Sequence, residues 1–367
     1  MAEVSGARPE KYTSWTAFAR ARARRGVMRA AIRGLVSWER APASREGYTV
    51  IIGCNHRLAP LAAANLSLLA KQDLTGADRV LVVFDAPREE MDPAVERSLR
   101  ERHGAGLPLE VLYYTPKQAR VARLFDWGWI YSWMSWSIGI SHTRTRYAML
   151  HDLDALLLKP TTLREHYDAV RAGDAEYLGV KYYTGQGLVP DDRLVTTFEL
   201  MFDADFVRAR FRPIDLFNNV RRFEGRRVEF DTFLYAQSVA GRRKVLPIDE
   251  EWMVHPSQMI CQYVDHVNGR NVPAGTSNVL MIPYYFEVGG DPGPLRDVLG
   301  QFREGKGPRV RVFGRETDAS LLTPAHARWY AKQAGRLERA LHGETRPEIR
   351  EYFDAIGACC GVREPAC

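Results

Sequence analysis

No run of about 18 apolar residues free of charge occurs in the chain, so nothing in it is suited to cross a bilayer as a helix. Its opening residues lack the apolar stretch and small-residue cleavage site of a secretory signal. Cysteine is scarce, with only Cys54, Cys261, Cys359, Cys360 and Cys367 among 367 residues. Their number is odd and none are spaced as C-x-x-C, which argues against a structural zinc site. Without an export signal, reduced thiols in a cytoplasmic protein are the expectation. Internal repeats and low-complexity blocks are also missing. So is a large excess of charge: the net charge of +6 is modest and gives no ground for a nucleic-acid partner.

What is present reads as an ordinary globular protein, 46% hydrophobic and 26% charged, long enough to bury a sizeable core. The first 46 residues stand apart, with ten Arg or Lys against four Glu. Within them Phe18, Met28, Ala31, Ile32 and Leu35 fall near helical spacing behind Ser14, a natural N-cap. Two readings of this basic helix stay open. It contacts an anionic membrane surface, or it packs on the main domain with its arginines in water.

From Tyr48 the texture changes to alternating strands and helices. Tyr48–Gly53, Arg79–Phe84, Leu109–Tyr113 and Tyr147–Leu150 read as buried strands, and Leu58–Lys71 as a helix between the first two. Later strands are expected at Tyr177–Val180, Thr196–Phe202 and Lys244–Ile248, with a helix over Glu229–Val239. The tail from Pro324 reads as one helix. The aromatic stretch Phe125, Trp127, Trp129, Tyr131, Trp133 and Trp136 suits a core helix or a stacking platform. This alternation predicts an α/β fold with a mostly parallel sheet covered on both faces.

The fourth of these strands runs into His151-Asp152-Leu153-Asp154. Two carboxylates two residues apart at a strand end can converge on one Mg²⁺ or Mn²⁺, leaving coordination positions for phosphate oxygens. A cation there would neutralise charge growing on a leaving diphosphate. The same spacing recurs at Asp203-Ala204-Asp205, where helix capping is the simpler account. Position separates the two copies, because ligands of such sheets gather outside the carboxyl ends of the strands.

Several segments in order resemble glycosyltransferases of the GT-A fold, family-2 type. The turn Gly53-Cys54-Asn55-His56-Arg57, the helix end Leu68-Leu69-Ala70-Lys71-Gln72 and the strand end Val82-Val83-Phe84-Asp85 are similar to that family's opening. Asp152 and Asp154 look like its metal motif. Glu229-Phe230-Asp231 resembles the acidic step that presents the catalytic base, and Trp252-Met253-Val254-His255 its closing strand and histidine. The resemblance implies a GT-A (Rossmann-like) domain and transfer of a hexosyl group from a nucleoside-diphosphate sugar, UDP-linked first. It implies that Cys54, Asn55, Arg57, Asp85 and Asp152 contact the nucleotide sugar. Asp152, Asp154 and His255, with His266 as rival, would hold Mn²⁺ or Mg²⁺. Asp231, with Glu229 second, would take the proton of a glycan, lipid or protein hydroxyl in an inverting reaction.

The expected layout is a basic helical extension over 1–46, a single transferase domain over 47–290 and a helical extension over 291–367. The protein is expected in the cytoplasm, peripheral at the inner face of a membrane if the basic helix engages one. A nucleotidyltransferase is disfavoured, because the turn after the first strand holds one glycine where a phosphate loop needs several. A non-catalytic binding protein is the third reading, motivated by Phe84 and Phe230, which stand where that family carries acids.

Overall fold

The computed structural model describes residues 12–40 and 44–362. Cys367 and the segment 1–11, part of the basic extension, lie outside the described residues. The chain divides into two compact units. One contains the chain through His56, Asp73–Asp152 and Thr161–Ile248; the other contains Arg57–Gln72, Leu153–Pro160 and everything from Asp249. In chain order the strands are β1 (Arg45–Cys54), β2 (Ala77–Phe84), β3 (Leu109–Tyr113), β4 (Thr145–Leu150), β5 (Leu156–Leu157), β6 (Tyr177–Gly179) and β7 (Leu200–Asp203). They continue with β8 (Asn219–Phe223), β9 (Arg226–Phe230), β10 (Arg243–Val245), β11 (Met253–Val254), β12 (Arg309–Val312) and β13 (Arg315–Asp318).

The first unit is built on a seven-stranded sheet of order β10-β6-β7-β4-β1-β2-β3. Strands β1 to β4 pair in parallel, β7 runs antiparallel to both β4 and β6, and β10 is parallel to β6. This is the mostly parallel α/β sheet flanked by helices that the sequence predicts. Val50, Ile51 and Ile52 on β1 and Val80 to Phe84 on β2 are fully buried. Burial on both faces explains why these strands read as unbroken apolar runs. Strand order reverses around β1, whose neighbours are β2 on one side and β4 on the other. The carboxyl ends of β1 and β4 therefore flank a topological switch point, the place where ligands of such sheets gather.

The helix Gly128–His142 crosses β1 closely enough to require a glycine. A Cβ on Gly139 would stand 2.3 Å from the Ile51 Cγ2. Ile51 is fully buried and has no room to yield. Gly139→Val is expected to destabilise the protein by about 2–3 kcal/mol, read as a lower urea midpoint at unchanged slope. A midpoint equal to wild type would show that this crossing is loosely packed.

The aromatic stretch belongs to this packing. Trp133 is fully buried and its indole donates to the Pro213 carbonyl at 2.7 Å. The N-terminal helix Trp15–Ile32 is capped by Ser14, which accepts from the Ala17 amide, and buries Phe18, Arg25, Met28 and Ile32.

Two sequence expectations need correction. Glu229 is not helical: it lies in β9, the second strand of a hairpin with β8, and the helix starts only at Leu234. Glu224 (φ 46°) and Gly225 (φ 74°) form the two-residue left-handed turn that a tight hairpin needs. The C-terminal tail is two helices, Pro324–His342 and Pro347–Cys359, because Gly343 leaves the first at φ 85° and Pro347 restarts the second.

In the second unit the helix Ala59–Leu69 packs against Ile282–Val288 and against β5, which pairs with β11. Tyr284 and Tyr285 are fully buried and pack within this unit. Among the described residues no helix is long and apolar enough to cross a membrane.

Candidate functional site

The site begins where β1 ends. The Asp85 carboxylate, at the end of β2, accepts from the Asn55 side-chain amide (3.0 Å), the His56 backbone amide (2.8 Å) and the His56 Nδ1 (2.7 Å). Asp85 is only 5% exposed, so its carboxylate shapes the turn after β1 from below rather than facing solvent. The turn it braces presents Asn55 and the part-exposed His56, which the sequence reading had not singled out. Cys54 is the last residue of β1. Its thiol is buried and donates to the Asn55 carbonyl at 3.3 Å, and burial, reinforced by the Asp85 charge, pushes its pKa well up.

At the carboxyl end of β4 the backbone turns. The His151 amide still donates to the Ile51 carbonyl at 3.0 Å, continuing the β1–β4 pairing. The buried His151 ring pairs with Glu199, which is itself fully buried. The chain leaves the first unit after Asp152 and enters the second at Leu153. Asp154 is 3% exposed. Strand β5 follows immediately, and its antiparallel pairing with β11 (Val254 with Leu156, Met253 with Leu157) sets the residue after β11 beside the segment before β5. That residue is His255, whose Nε2 stands 3.7 Å from an Asp154 carboxylate oxygen. The spacing is too long for a hydrogen bond and suits two ligands of one ion. Asp152, Asp154 and His255 each offer a ligand atom, and these atoms all lie within 4.8 Å of one another.

Three consecutive carbonyls around Asp154 are held by buried side chains. Asn65 donates from one amide to Leu153 (3.1 Å) and Ala155 (2.9 Å), and the Tyr285 hydroxyl donates to Asp154 itself (3.2 Å). Asn65 and Tyr285 are both fully buried. Asn278 secures the other strand, donating to the Ser257 carbonyl at 2.9 Å just beyond His255. These clamps were missed in the sequence. The one available signal was an asparagine inside the helix Ala59–Leu69, whose only other polar residue is Ser67. His266, the rival ligand, is instead bonded to the Val312 carbonyl at 2.8 Å and belongs to the packing of the second unit.

The two acids of Glu229-Phe230-Asp231 separate sharply. Glu229 is fully buried, paired with Arg25 and accepting from the Tyr12 hydroxyl at 2.8 Å. Asp231 follows β9 and is partly exposed, with one oxygen accepting from the Thr232 amide at 2.7 Å. Beside it stands Tyr183, whose pKa is raised to about 12, first by burial and then by the Asp231 charge. The second Asp-x-Asp behaves as capping: Asp203 accepts from the Phe206 amide at 2.8 Å, and Asp205 pairs with Arg208 at 2.8 Å.

No protein-family profile matches the chain. No curated protein sequence matches it either. Solved structures do show likenesses. A mannosyltransferase from Pyrobaculum calidifontis, PcManGT, in complex with GDP-Man and Mn²⁺, is 14% identical over 92% of this chain and 93% of its own, with a TM-score of 0.40. Residues 1–349 of S. aureus TarS are 11% identical over 86% of this chain and 90% of that one, at a TM-score of 0.37. The galactosyltransferase LgtC, with donor and acceptor sugar analogs, is 13% identical over 46% of this chain and 62% of its own, at 0.36. These likenesses are distant, and the chain's own residues carry the functional case.

Proposed function

We propose that the chain is a metal-dependent glycosyltransferase acting on a nucleoside-diphosphate sugar. The grouping of Asp152, Asp154 and His255 at the outlet of β4 carries this reading. Two carboxylates and one imidazole form a donor set that suits Mn²⁺ first and Mg²⁺ second, since Mg²⁺ favours oxygen throughout. A bound divalent cation supplies positive charge to the diphosphate of the donor. Asn55, His56 and Arg57 hold the nucleoside, with UDP the first choice, on the turn that Asp85 braces.

Asp231 serves as general base, since it is the partly exposed acid of the pair, whereas Glu229 is consumed by Arg25. Asp231 takes the proton from an acceptor hydroxyl as that oxygen bonds to the anomeric carbon. The bond between that carbon and the phosphate oxygen breaks on the opposite face, and its electrons leave with the diphosphate. The configuration inverts. The acceptor is a glycan, lipid or protein hydroxyl, met in the cytoplasm.

A panel of nucleotide sugars, with and without Mn²⁺, tests the reading by thermal shift and by donor turnover. One donor should stabilise the protein only with the ion present and should be consumed. No shift and no turnover with any donor would end it.

The clamp on Asp154 gives a second expectation. Asn65→Leu keeps the side-chain volume but leaves the Leu153 and Ala155 carbonyls unpaired, costing about 1–3 kcal/mol for each buried group. Because partners behind a ligand set its orientation, Mn²⁺ affinity should fall about 10–100-fold. Electron paramagnetic resonance titration of free Mn²⁺ reads that loss separately from a urea melt. Lowered stability with unchanged affinity would reduce Asn65 to a packing role.

A further inference from the structure

We infer that one flank of the first unit, made by two antiparallel helices, is an adsorption surface for anionic lipid. The first is the N-terminal helix Trp15–Ile32, and the second is Pro116–Phe125. Their ends are joined by hydrogen bonds: Arg24 donates to the Phe125 carbonyl at 3.4 Å, and Gln118 to the Leu35 carbonyl at 2.8 Å. Neither helix contains a single Asp or Glu. Arg20 and Arg24 on one, and Lys117 and Arg120 on the other, are exposed. Among the described residues, none of these four cations forms an ion pair, whereas neighbouring Arg123 is tied to Glu90. Two aliphatic side chains rise from the same flank: Leu124 is 76% exposed and Val27 is 63% exposed.

This combination favours a lipid surface over a polyanion. Cations alone would suit nucleic acid, but that partner gains nothing from exposed Leu124 and Val27, and the one exposed aromatic of the two helices, Trp15, already lies under the Arg227 guanidinium and edge-on to Phe18. The geometry also limits the mode of binding. Phe18, Met28 and Ile32 are already buried in the core, so the helix has no apolar face left to immerse. Contact is shallow and mostly electrostatic, with two aliphatic anchors, and must weaken steeply with salt. Nothing here depends on the metal site or the donor.

Co-sedimentation of the full chain with vesicles of neutral phosphatidylcholine, or of phosphatidylcholine with a third anionic phosphatidylglycerol, tests the inference. Wild type should bind the anionic vesicles at least about tenfold more tightly at 0.1 M than at 0.5 M salt, and should leave the neutral ones in solution. R20E/R24E should lose about tenfold or more in affinity, and L124E a smaller but clear factor. The control R311E/R328E makes the same charge change at exposed sites of the second unit and should bind as wild type. Thermal melting confirms that the variants are folded, and the exposure of all the substituted residues makes that the expected result. The inference is overturned if wild type ignores anionic vesicles, if the control loses as much as R20E/R24E, or if a DNA oligonucleotide binds more tightly than the vesicles at 0.15 M salt.

Discussion

Replacing Asp154 by Asn should lower metal-dependent donor turnover by about a thousandfold while leaving the melting temperature within a few degrees of wild type. The size follows from the residue's position. Asp154 is nearly fully buried and faces His255, so its charge acts on a bound ion through little water. Loss of that charge removes a ligand and weakens the field opposing negative charge on the departing diphosphate. The fold should tolerate the change, because the backbone around Asp154 is held by Asn65 and Tyr285 through carbonyls rather than through the carboxylate. Asp152→Asn should act in the same direction but less strongly, since Asp152 is more exposed. Isothermal calorimetry with Mn²⁺ and UDP, beside donor turnover, separates lost ion binding from lost chemistry. If Asp154→Asn binds Mn²⁺ and turns over donor as wild type does, the carboxylate pair is not the ion site.

Much of this arrangement was legible in the chain. The buried strands β1 to β4 announce themselves because burial on both faces leaves no polar positions to interrupt them. Asp152 and Asp154 stood out because they follow such a strand. His255 could be paired with them only by resemblance, since its approach to Asp154 depends on β5 and β11, two-residue strands too short to carry a period. The misreading at Glu229 has a definite cause. Arg226 to Phe230 alternates weakly, and the turn that creates the hairpin lies in Glu224-Gly225, where a glutamate adopts a left-handed conformation it rarely takes. Asp85 was legible as a residue but its hydrogen bonds were not, because a sequence cannot show that Asn55 and His56 turn back onto it.

Arg25→Met should destabilise the protein by about 3–5 kcal/mol, the cost of leaving a buried carboxylate without its cation. Glu229 is fully buried, and Arg25 reaches it between Tyr12 and the rings of Trp127 and Trp129, whose centroids lie 5.6 and 5.4 Å from the guanidinium carbon. Met keeps the volume of the aliphatic stem and removes the charge. The double variant Arg25→Met/Glu229→Gln should recover most of the loss, because neither charge then remains buried alone. Urea melts of the two singles and the double give the coupling directly. The pair also bears on catalysis, since Glu229 lies two residues before Asp231 and ties the exit of β9 to the N-terminal helix. Arg25→Met should therefore lower kcat at temperatures where the protein is still folded, and the double variant should restore it. Were Glu229 itself the base, the double variant would regain stability and stay inactive, so a single pair of measurements separates a carboxylate that positions the strand from one that takes the proton.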